Sequence, residues 1–165
     1  MNHEHAASTS IEQVIGEPVG HQWKLEQALA IVVGSRPSAE LDDRPVARFL
    51  ADRICRIQDN DHDVDMPLKP ITVSDLWYLN DDRLRLRPTI TIGSPEENAA
   101  TAWLASRLEQ VYVIENCFSI QMDPELLELQ VCLWGKDASG TRKACSMFLD
   151  RYLEEYLHKA RLTAV

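Results

Sequence analysis

Five residues in the last third of the chain, Gly135, Lys136, Asp137, Gly140 and Thr141, have the types and spacing of a loop that grips an anion. The two glycines let a backbone approach closely, the N–H groups of a following helix point outward, and Lys136, Arg142 and Lys143 add positive charge. The chemistry stops at anion binding. A nucleotide-triphosphate loop has lysine directly after its second glycine, and Thr141 stands there instead. Asp137 supplies the competing reading, since its carboxylate is able to cap the same helix and satisfy the same N–H groups internally. These five residues are the ligand-binding candidates; no catalytic residue and no metal ligand joins them.

Other chemistries fail on spacing. Asp59, Asp61, Asp63 and Asp65 alternate like the opening of a calcium loop, but Val64 takes the place that requires glycine and Pro70 the place that requires glutamate. A solvated acidic loop fits better. His3, His5, His21 and His158 share no metal-ligand spacing with one another or with cysteine. There is no Gly-x-Ser-x-Gly elbow. Cys55, Cys117, Cys132 and Cys145 stand singly inside periodic apolar segments, with no neighbour that lowers a thiol pKa, and read as reduced core residues. Four tryptophans and four tyrosines recur at strand and helix periods and also read as core, with Trp134, beside a turn, as the exception. No cofactor is implied.

The elements that must hold the candidate turn follow from hydropathy. Ala28–Val33 is a continuous apolar run closed by Gly34-Ser35, as expected of a strand buried on both faces of a parallel sheet. Val46, Phe49, Leu50, Ile54 and Ile57 then repeat at helical spacing, with Pro45 placed in the first turn. Ile71, Val73 and Leu76 alternate before a turn at Asn80-Asp81-Asp82. Thr89-Ile90-Thr91-Ile92 leads into Gly93-Ser94-Pro95, where Ser94 is the expected cap of a helix running through Leu108 and Val111, completed by Glu97. An alternating segment over 114–122, a strand over 127–134 and a long terminal helix from Ala138 complete the pattern.

Val32-Val33-Gly34-Ser35 followed by Arg48 to Ile54 parallels Thr91-Ile92-Gly93-Ser94 followed by Ala102 to Leu108, which suggests repeated strand-turn-helix units. The predicted fold class is α/β, a three-layer sandwich whose mainly parallel or mixed sheet has about five strands with helices on both faces. Residues 1–10 form a tail and residues 11–165 one domain, with a short helix following Ser10.

Seventeen Lys and Arg against 26 Asp and Glu give a net charge of −9, with no basic patch apparent. Nucleic acid and anionic membrane are excluded as partners on that ground. No apolar run reaches the length of a membrane span and residues 1–5 lack a signal peptide's basic start, so the cytoplasm is the expected compartment.

Within residues 88–157, Gly93-Ser94-Pro95-Glu96-Glu97-Asn98-Ala99-Ala100-Thr101 resembles the Gly-Gly-Pro-x-x-Asn-x-x-Thr turn of Rossmann-like α/β domains in archaeal S-layer proteins. Gly135-Lys136-Asp137-Ala138-Ser139-Gly140-Thr141 resembles the Gly-x-Asp-x-x-Gly-Thr turn of those domains and of accessory domains of glycoside hydrolases. Ser94 replaces the second glycine of the first turn. The resemblance implies a packing or assembly role and carries no catalytic residue. The expected function is therefore a non-catalytic interaction or assembly domain, its partner another protein or a second copy. The alternative is a small-anion-binding protein or enzyme with its site at the strand C-terminal turns.

Overall fold

The computed structural model describes residues 24–62 and 66–163. The tail over residues 1–10, most of the helix expected after Ser10, His3, His5, His21, Trp23 and residues 63–65 of the acidic loop lie outside them. Among the described residues there are six strands: β1 (Ala28–Val33), β2 (Lys69–Ser74), β3 (Thr89–Ile92), β4 (Gln110–Ile114), β5 (Phe118–Met122) and β6 (Gln130–Gly135). They form one sheet in the order β2-β1-β3-β6-β5-β4. The first four in that order run parallel, β5 is antiparallel to β6, and β4 is antiparallel to β5. Pro70 lies in β2, where an edge strand tolerates the missing N–H.

All six residues of β1 are buried because the strand is paired on both sides and covered on both faces. Leu29, Ile31 and Val33 face a large core completed by Leu50 and Ile54 of α1 (Pro37–Asn60), Phe148 of α5 (Ala138–Arg151) and Tyr156 of α6 (Leu153–Leu162). Ala30 and Val32 face a smaller one formed with Tyr78 of α2 (Asp75–Asn80), Leu84 of α3 (Asp82–Arg85) and Ala100 of α4 (Ala99–Ala105). The period-2 alternation of one strand thus separates two helix layers, and the expected three-layer sandwich is what forms. Each large side chain buried in these cores stabilises the fold by about 1.5–3 kcal/mol.

Several local expectations are corrected. The sheet has six strands, not five, because residues 110–122 make a hairpin that turns at Asn116, whose φ is 56°. Val111 therefore belongs to β4, and α4 ends at Ala105, before Leu108. Helix α1 starts with Pro37 at its first position, which leaves Pro45 inside the helix. The carbonyl that Pro45 cannot bond is that of Leu41, a residue 78% exposed. Asn80-Asp81-Asp82 joins two short helices and makes no hairpin. β2 ends at Ser74, whose hydroxyl caps α2 through the Trp77 N–H, and Leu76 is helical. The internal similarity holds for the strands and their glycine turns only, since α1 packs on one face of the sheet and α4 on the other. Cys132 and Cys145 are buried, whereas Cys55 is exposed and Cys117 only half-buried; all four are free thiols.

Candidate functional site

The glycines Gly34, Gly93 and Gly135 end three neighbouring parallel strands, so their turns share one edge of the sheet. The chain leaves β1 toward β2 and returns on its other side as β3, which makes this edge a topological switch point. Here a cleft of about 220 Å³ opens between the first turns of α1, the β3 turn and the β6 turn. Gly135, Lys136, Asp137 and Thr141 line it, as does the Gly93-Ser94 turn; Gly140 does not.

Most polar atoms of these turns are engaged by the fold. The N-cap of α4 is Asn98, not Ser94: its Oδ1 accepts from the Ala100 and Thr101 N–H groups at 3.0 and 3.2 Å. Its Nδ2 donates to the carbonyls of Val32 (3.0 Å) and Ile92 (2.9 Å), tying β1 to β3. Thr101 Oγ1 bonds Thr91 Oγ1 at 2.8 Å. Asp75 accepts from Ser35 Oγ and, through its other oxygen, from the Ala99 N–H. At the β6 turn, Asp137 caps α5 by accepting from the Gly140 N–H at 2.8 Å, and Thr141 Oγ1 accepts from the Gly135 N–H at 3.1 Å. Gly140 lies so close to the Cys117 carbonyl that a Cβ would stand 2.3 Å from its oxygen. The candidate anion donors of Gly135 and Gly140 are thus occupied from within. Lys136 is exposed beside them, and among the described residues its ammonium forms no hydrogen bond or ion pair.

The group that sequence reasoning missed is Asp43. The pattern with Pro45 in the first turn leaves Asp43 ahead of the helix, yet α1 begins six residues before Asp43, which therefore sits in its second turn and lines the cleft. Asp43 is only 6% exposed and, among the described residues, its carboxylate accepts no hydrogen bond. One oxygen rests against Gly93, where a Cβ would come within 2.6 Å of it; Gly93 has φ of +108° and no side chain to interfere. Burial pushes the Asp43 pKa up to about 6, helped by the neighbouring carboxylates of Asp42 and Glu97 and opposed by Arg142. Glu97 itself accepts from Ser38 Oγ at 2.6 Å and pairs with Arg36 at 3.7 Å.

Four carboxylates, those of Asp42, Asp43, Glu97 and Asp137, therefore line the cleft against the single ammonium of Lys136. Among the described residues, no group of three His, Cys, Asp or Glu side chains is placed to hold a metal ion, and no helix is long and apolar enough to cross a membrane. Along the outer face of α1 an apolar groove of about 310 Å³, with Leu41, Pro45, Phe49 and Cys145 in its walls, adjoins the cleft at Asp42, which lines both. Leu41 and Phe49 are 78% and 54% exposed. No family model matches this chain, and no curated protein shows significant similarity to it.

Proposed function

We propose that this chain is a non-catalytic interaction domain that receives a basic side chain, ammonium or guanidinium, of a partner protein in the cleft at the carboxyl edge of the sheet. The observation that carries this reading is Asp43, a buried carboxylate that has no hydrogen-bond partner among the described residues and lines a cleft whose other carboxylates repel an anion. Leaving such a group unpaired destabilises the free protein, and a cation that enters the cleft supplies the missing partner. The adjoining groove beside Leu41, Pro45 and Phe49 suits apolar residues flanking that side chain. With a volume of about 220 Å³ the cleft accepts one compact group, not a drug-sized molecule.

Short apolar peptides carrying one arginine or lysine, compared by calorimetry with the same peptides carrying norleucine, test this. Binding by the basic peptides alone, weakened by salt and lost in Asp43→Asn, supports the reading. Binding that is indifferent to Asp43→Asn, or a cleft that takes inorganic phosphate and loses it in Lys136→Ala, rejects it in favour of the anion alternative at Gly135, Lys136 and Thr141. Free guanidinium binding as well as the peptide would place the recognition in the cleft alone, without the groove.

A further inference from the structure

A second concavity, of about 410 Å³, lies at the opposite edge of the sheet, where β3 and β6 begin. Its walls include Arg85 at the end of α3, Arg87 and Pro88 just after it, Trp103 of α4, Arg107 two residues past that helix, and Leu129 ahead of β6. The sequence shows no basic patch in a chain of net charge −9, yet folding gathers three arginines in the walls of one pocket, two of them against one indole. Arg107 stacks over the Trp103 ring with its Cζ 4.1 Å from the ring centroid, and Arg85 approaches at 5.7 Å.

The three arginines are not equally engaged. Arg85 donates to the Leu79 carbonyl at 2.7 Å and pairs with Asp82. Arg107 has the indole as its side-chain partner and, among the described residues, no carboxylate. Arg87 has a buried Nε with, among the described residues, no hydrogen-bond partner. A guanidinium N–H taken out of water without an acceptor is costly, and the pocket beside it is where an acceptor would enter. Glu128 is the one acidic residue lining the pocket, and it is exposed.

We propose that this pocket binds a small molecule bearing an oxyanion, phosphoryl or carboxylate. Arg87 and Arg107 supply charge-assisted hydrogen bonds in the fork geometry that suits such groups. Trp103, 41% exposed, holds Arg107 over its ring and offers its exposed edge to the ligand's apolar body. The site stands apart from the acidic cleft and would function whether or not that cleft takes a basic side chain.

Titration calorimetry with inorganic phosphate, phenyl phosphate and benzoate as probes tests the proposal, with indole fluorescence as a second readout. At least one probe should bind, more weakly as salt rises, and the arms with phosphate and benzoate tell which oxyanion is preferred. Arg107→Gln, an exposed substitution, and Arg87→Gln should each weaken binding about tenfold or more, while Lys136→Ala leaves it unchanged. Circular dichroism establishes that each variant is folded, and Arg107→Gln decides the matter if Arg87→Gln is not. Absence of binding by all three probes, binding indifferent to Arg107→Gln, or binding lost in Lys136→Ala would overturn the proposal. So would binding confined to an acidic peptide, which would make the pocket a protein contact.

Discussion

Replacing Asp43 by asparagine should make the protein more stable at neutral and alkaline pH and leave it unchanged in acid. In the folded chain the Asp43 carboxyl titrates at about 6 against an ordinary value of 3.8, so it holds its proton more tightly when folded than when unfolded. For a group with a raised folded pKa the sign is clear: stability falls as pH rises between those two values, and the loss is complete above the higher one. A difference of about 2 units at 1.36 kcal/mol each sets a ceiling of about 3 kcal/mol on the penalty. Asparagine removes the charge but brings an amide that needs partners of its own, so the net gain should be about 1–3 kcal/mol at pH 8. Urea melts of wild type and Asp43→Asn, followed by tryptophan fluorescence at about pH 4 and about pH 8, give the two differences directly. Equal stability of the two proteins at pH 8, or a variant weaker there than in acid, would refute the reasoning. Either result would show that the native carboxylate has a partner and is not held in reserve for a ligand.

Asn98→Ala should destabilise by about 2–4 kcal/mol, since it removes the α4 cap and strips the buried Val32 and Ile92 carbonyls of a donor, whereas Ser94→Ala should stay within about 0.5 kcal/mol; thermal melts compare them. By the same measurement, Asp137→Ala should lose about 1 kcal/mol with its cap while Lys136→Ala changes little. Native alkylation followed by mass spectrometry should modify exposed Cys55 ahead of Cys132 and Cys145, whose thiols burial pushes up to about 11 and about 12, with those two reacting only after unfolding.

The layer order was legible in the sequence where hydropathy alone decides it. Ala28–Val33 is apolar throughout because both faces of that strand are covered, and the parallel strands with their Gly34, Gly93 and Gly135 turns follow from the same pattern. What escaped is set by contacts between distant segments. Ser94 was an acceptable cap on local chemistry, but Asn98 alone reaches the carbonyls of two strands, 66 and 6 residues away. Pro45 fits a helix start on local chemistry, but Pro37 takes that place, and the earlier start puts Asp43 inside the helix and in the wall of the cleft. The arginines of the opposite pocket were equally hidden, because Arg107 meets Arg85 and Arg87 only after α4 folds against the sheet. Burial of one carboxylate beside the turns of distant strands leaves no periodic trace in a sequence. The signal that was available was the pair Asp42-Asp43 on a helix whose apolar face already included Ala39 and Ala47.

The central claim, that Asp43 waits unpaired for a cation, is tested most directly by carbon NMR of its carboxyl through a pH titration, assigned by loss of the signal in Asp43→Asn. Free protein should show that carboxyl titrating at about 6, and a saturating arginine-bearing peptide should pull it down toward or below the ordinary aspartate value. A carboxyl that already titrates in the ordinary range without ligand, or one whose titration no basic peptide shifts, would contradict the account.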